Sequence, residues 1–276
     1  MVSGHFLGDA GQRIFLLLRR PPGTASGCVL VVPPFGEEMN KSRRMATDVA
    51  SGLVARGVSV LVPDLYGTGD SEGDFADARW QRWKSDLASA CHWSGEAGCP
   101  VTGLLAIRLG CALAGDALRS GMIPAVRVSV LWQPVLDAGR FLTQFLRLRV
   151  AASLMDDDRK ESTATLRSRL AAGETLEVAG YGLCPGLAAD LEAVDLAGLP
   201  SGLGTVHWVE VVRDPDGELP FPSSRLIERA RADGMEVESH KFAGEPFWSS
   251  TEIVTIPAMS GATIEALASA DGGARA

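Results

Sequence analysis

Apolar runs of five to seven residues alternate along this chain with stretches of helical period, and that alternation restricts the fold more than any other feature. Residues 28–32, 58–62, 101–107 and 126–132 are mostly apolar from end to end. A strand with one wet face would alternate apolar and polar positions, so these runs read as strands buried on both faces. Between them, residues 40–55, 78–93 and 109–119 carry the helical period; Trp80, Trp83, Leu87 and Ala90 form one such stripe. Residues 13–20, 206–212 and 236–242 read as further strands, and 222–232 and 258–268 as helices. The pattern predicts an α/β fold with a mainly parallel sheet and helices on both faces.

The rhythm breaks over residues 137–200, which read as largely helical apart from Leu176-Glu177-Val178 and include the charge-rich Asp156-Asp157-Asp158-Arg159-Lys160-Glu161. One domain spanning 1–276 is expected, with an insertion at about 137–200 forming a helical cap over the sheet; the tail 269–273 is expected to fray. The net charge is −8 and the basic residues are dispersed, which argues against a nucleic-acid partner. Five cysteines without C-x-x-C spacing point to reduced thiols. The first twelve residues lack a charged-then-apolar leader, so a cytoplasmic location is expected. No apolar run approaches the ~20 residues of a membrane span, and no motif calls for a cofactor or a metal.

Two turns carry the functional reading. Asp64-Leu65-Tyr66-Gly67-Thr68-Gly69-Asp70-Ser71 follows the strand at 58–62, and Gly69-Asp70-Ser71-Glu72-Gly73 is a literal G-x-S-x-G. A nucleophile elbow must be a sharp strand-to-helix turn, and no helix begins after Ser71, so this serine reads as a turn residue. The second turn, Ala106-Ile107-Arg108-Leu109-Gly110, has the right context: a strand ends at Ile107, a helix begins near Leu109, and small residues flank the tip. Its tip is Arg108, whose guanidinium cannot attack a carbonyl. At a helix N-terminus it can hold an anion, or it can pair internally with Glu37 or Glu38. Backbone amides of Phe35 or Gly36, together with that of Leu109, could form a two-donor oxyanion hole. No histidine lies in Gly244-Glu245-Pro246-Phe247-Trp248, where a triad histidine would be expected, and His240 reads as packed or surface-exposed. Asp214 occupies the acid slot. Cys111, near the elbow, has nothing to activate it.

The D-x-x-G-x-G-x-S turn resembles that of α/β-hydrolases, and a longer set of segments narrows the likeness. Residues 34–44, Arg108-Leu109-Gly110, Leu131-Trp132-Gln133-Pro134-Val135, residues 144–149, Glu177-Val178-Ala179-Gly180-Tyr181 and Pro246-Phe247-Trp248 occur in order. Over nearly the whole chain this is similar to the exosortase A system-associated hydrolases, type 2 branch. The resemblance implies an α/β-hydrolase fold in a bacterial cytoplasmic protein of an exopolysaccharide system, with no known substrate. Three functions follow as expectations. One is an ester or acyl hydrolase with a degenerate triad, in which Glu37 or Glu38 activates water and Arg108 stabilises charge. Another is an inactive relative that binds a small anionic or acylated ligand through Arg108 and the loop amides. The last is an interaction protein that uses the cap surface.

Overall fold

The computed structural model describes residues 1–153, 161–194 and 198–269. The buried apolar runs form the middle of an eight-stranded sheet. Its strands are β1 (Val2–Leu7), β2 (Ile14–Arg19), β3 (Cys28–Val32), β4 (Ser59–Asp64), β5 (Val101–Ile107), β6 (Val128–Trp132), β9 (Thr205–Val212) and β10 (Val237–Ala243). They lie in the order β1-β2-β4-β3-β5-β6-β9-β10. β1 and β2 are antiparallel to their neighbours, and every later pairing is parallel. Parallel strands need crossovers, and helices α1 (Glu37–Ala55), α2 (Trp80–Glu96), α3 (Leu109–Arg119) and α7 (Phe221–Ala232) supply four of them, while α8 (Pro257–Ser269) follows the last strand.

Each face of the sheet has its own core. Met45, Val49 and Leu53 of α1 and Met259 and Leu267 of α8 pack with Val31, Val60, Ile107 and Val209 on one side. Leu87 and Ala90 of α2, Leu113 of α3 and Ile227 of α7 pack with Leu30, Leu104 and Trp208 on the other. The all-buried patterns of β3 and β6 are the consequence.

Between β6 and β9 the chain leaves the sheet and forms α4 (Ala138–Ser153), α5 (Thr163–Ala171), the hairpin β7 (Leu176–Val178) and β8 (Tyr181–Leu183), and α6 (Pro185–Ala193). Phe141 and Phe145 of α4 meet Phe35 edge-on, with ring centroids 5.6 and 5.0 Å apart, so the insertion rests on the loop after β3. Residues 156–160 and 270–273, for which a charged stretch and a frayed tail were expected, lie outside the described residues; Glu161 pairs with Arg149.

Three readings are corrected. Residues 2–7 form a strand where none was expected. They alternate exposed and half-buried positions and carry Ser3, Gly4 and His5, so they lack the apolar run that marked the other strands. Residues 181–183 form a second short strand, pairing with the one expected near 176–178. Helix α1 begins at Glu37, three residues before the expected start, because Gly36 takes a positive-φ turn (φ 55°, ψ −129°) that glycine adopts without steric cost. Glu37 and Glu38 therefore lie in a helical first turn rather than in a loop.

Candidate functional site

The ends of β3, β5, β6 and β9 meet around Arg108. Ile107 pairs with Trp132, and Trp132 with Val209. The Arg108 amide still donates to the Trp132 carbonyl at 2.9 Å, and then the chain reverses sharply. Arg108 sits at φ 56°, ψ −120°, a conformation that costs a non-glycine residue about 1–3 kcal/mol. The next turn is closed by the Cys111 amide donating to the Arg108 carbonyl at 3.1 Å. Helix α3 starts so close to the loop after β3 that a Cβ on Gly110 would lie 2.5 Å from the Pro33 carbonyl oxygen. The elbow is present in backbone form.

The side chain at its tip is clamped. Arg108 Nε donates to both Glu38 oxygens at 3.3 Å, and Nη2 donates to Oε1 at 3.1 Å. Nη1 donates to the Gln133 carbonyl at 3.1 Å. Trp248 covers one face of the guanidinium, whose carbon stands 4.6 Å from the ring centroid. The side chains of Arg108 and Glu38 are only 14% and 19% exposed, so each desolvated charge depends on the other. Burial pushes the Glu38 carboxyl above its ordinary range, and Arg108 opposes that shift. The partner of Arg108 is thus Glu38. Glu37 turns the other way, accepting from Asn40 at 3.0 Å and from the Tyr181 hydroxyl at 3.5 Å, with Lys41 at 3.9 Å.

Phe35, Gly36 and Leu109 line one small cavity of about 20 Å³ with largely apolar walls, enough for about one water molecule. A second cavity, of about 230 Å³, lies between the first turn of α1, helix α4 of the insertion and the loop at Trp248. Its walls are Phe35, Phe141, Phe145, Leu148 and Trp248, with Glu37, Glu38, Lys41 and Gln144 among its polar groups.

The other triad candidates do not converge here. Asp214 is exposed, and its Oδ1 accepts from the Asp216 amide at 3.0 Å, so the expected acid is held in its own turn. It lies two residues past the end of β9. Ser71 Oγ donates to the Asp64 carbonyl at 2.5 Å and accepts from the Phe15 amide at 2.8 Å; it ties the glycine-rich loop to β2. Cys111 Sγ lies 3.2 Å from the Ala106 carbonyl, and burial pushes its thiol well up, which keeps it protonated. His240 Nε2 faces His207 Nδ1 at 3.1 Å across β9 and β10, away from Arg108.

Helical and strand periodicity gave no sign of two residues here. Gln133, at φ 43°, presents its carbonyl to Arg108 while its Oε1 accepts from the Val211 amide at 2.7 Å. Trp248 is positioned by Phe247, which is 1% exposed and packs edge-on against Trp132 at 5.6 Å. A positive-φ glutamine and a contact spanning 140 positions leave no local signal.

Solved structures share this architecture over its full length. Est1E of Butyrivibrio proteoclasticus, solved with ferulic acid bound, superposes with a TM-score of 0.66 at 14% identity, covering 95% of this chain and 96% of that one. The chain has the α/β-hydrolase fold. A thermostable carboxyl esterase of Bacillus coagulans, in complex with glycerol, matches with a TM-score of 0.63 at 13% identity over 99% and 98% of the two chains. The esterase domain of a Rhodothermus marinus protein gives 0.60 at 16% identity over 99% and 98%. Neither a family model nor a curated protein sequence matches the chain. Among the described residues no helix is long and apolar enough to cross a membrane.

Proposed function

We propose that this protein is a non-hydrolysing member of the α/β-hydrolase fold that binds a small acyl-bearing ligand between the first turn of α1 and its cap. The clamp on Arg108 carries this reading. The position that would hold a nucleophile holds a guanidinium whose charge is neutralised by Glu38 and whose face is covered by Trp248. An anion would have to displace Glu38, so the acylated ligand is favoured over the anionic one. The neighbouring cavity, at about 230 Å³, is below the ~300–1,000 Å³ of drug-sized sites, and its aromatic and aliphatic walls suit a short acyl chain. The motif resemblance favours a role in a bacterial exosortase-associated exopolysaccharide system, on the cytoplasmic side.

A second reading, hydrolysis of an ester or acyl group, is favoured by one observation. Glu38 is a cavity-lining carboxylate whose pKa is raised by burial, as a general base requires. The esterase neighbours are consistent with it. Calorimetry with methyl esters of increasing chain length distinguishes the two. Saturable binding without ester loss, weakened at least ~10-fold by Phe145→Glu, is the expected result. Ester turnover abolished by Glu38→Gln would establish hydrolysis instead, and no binding at any chain length would end the ligand proposal.

A further inference from the structure

Far from the elbow, the sheet brings together three metal-ligating side chains that the clamp and the cavity do not use. In the parallel pairing of β9 with the edge strand β10, His207 lies opposite Glu238 and Val209 opposite His240. Side chains alternate between faces along a strand, so His207, Glu238 and His240 share one face. Val209, Val211 and Phe242 belong to that same face and pack into the core with α1 and α8. The cluster is about 10–15 Å across the sheet from β5, at ~4.8 Å per strand.

The three ligand atoms are already at coordination spacing. His207 Nδ1 is 3.1 Å from His240 Nε2 and 3.5 Å from Glu238 Oε2, and the last two atoms are 3.8 Å apart. A triangle with those sides has a point about 2.0 Å from every corner, which is the length of a zinc–nitrogen or zinc–carboxylate bond. An ordinary histidine–histidine hydrogen bond needs only the first of these distances; the carboxylate oxygen closing the triangle at metal-ligand radius is the additional observation. His207 is 14% exposed, His240 31% and Glu238 55%, so the cluster is sheltered on one side and open to solvent on the other.

We infer that His207, Glu238 and His240 form a binding site for a borderline divalent cation of the zinc, cobalt or nickel type, with solvent completing the coordination. Two imidazoles and one carboxylate favour such ions over magnesium or calcium, which take all-oxygen sets. The ion ties the edge strand β10 to β9.

The test uses the full chain, stripped with chelator and titrated with Co²⁺ while the visible ligand-field bands and the melting temperature are followed. The expected result is saturable one-to-one binding well below ~1 mM, a higher melting temperature, and no thiolate charge-transfer band, which separates this site from the five cysteines. His240→Ala and Glu238→Gln each weaken binding at least ~10-fold, a loss that even an outer-shell change can produce. His92→Ala, at an exposed helical position, leaves it unchanged. If His207→Ala fails to fold, the two more exposed variants decide. Absence of saturable binding, or binding unaltered in His240→Ala and Glu238→Gln, overturns the inference.

Discussion

At the scale of single residues, the decisive pair is Arg108 and Glu38. Removing one partner of a largely buried ion pair leaves the other charge uncompensated, at a cost of about 1–3 kcal/mol for a pair with some solvent access. The same pair sets a pH dependence. Burial raises the Glu38 pKa in the folded state, so between the ordinary carboxylate value and that raised value the folded protein binds more protons than the unfolded chain. Stability from this group therefore falls as pH rises through that window. Two outcomes are expected. In urea unfolding, the stability of Glu38→Gln relative to the natural protein increases with pH across the window. In carboxyl-carbon NMR, Arg108→Ala moves the Glu38 titration further upward, because the guanidinium's charge and hydrogen bonds oppose the effect of burial. A Glu38 titration unchanged by Arg108→Ala would mean that the pair is not electrostatically coupled.

At the scale of elements, the elbow is a contact between α3 and the loop after β3. Gly110→Ala would place a methyl group 2.5 Å from the Pro33 carbonyl oxygen and 2.7 Å from that of Val32, where only backbone can yield. A loss of about 1–3 kcal/mol is expected in thermal or urea unfolding, against a gain of up to ~1 kcal/mol for the same change in an unhindered helix. A neutral or stabilising effect would show that α3 does not approach the loop so closely. Elements of this kind were legible in the sequence where a single strong pattern marked them: the mostly apolar runs of β3, β5 and β6, and the Trp80–Ala90 stripe of α2. β1 was not, because its half-exposed hairpin edge is held to β2 by a backbone ladder that any side chains can form. The position of Arg108 at the elbow was legible from its strand–helix context. The choice of Glu38 over Glu37 was not, since it depends on α1 starting at Glu37 and aiming adjacent residues in different directions. Asp214 was legible as a turn residue, and its carboxylate accepts from the Asp216 amide in that turn.

At the scale of the whole molecule, an α/β-hydrolase fold places Arg108 at the strand–helix turn after β5, with a cavity beside the insertion nearby. Strain at Arg108 persists because backbone bonds to Trp132 and Cys111 and side-chain bonds to Glu38 and Gln133 hold it from every side. The one serine in a G-x-S-x-G context is bonded on both sides to backbone, with its hydroxyl directed into a turn. The central claim, that this scaffold binds without a serine nucleophile, is tested most directly by incubating the purified full chain with a fluorophosphonate probe and measuring labelling by intact-protein mass spectrometry. No adduct at any serine is expected. A stoichiometric adduct that disappears in Ser71→Ala would contradict it.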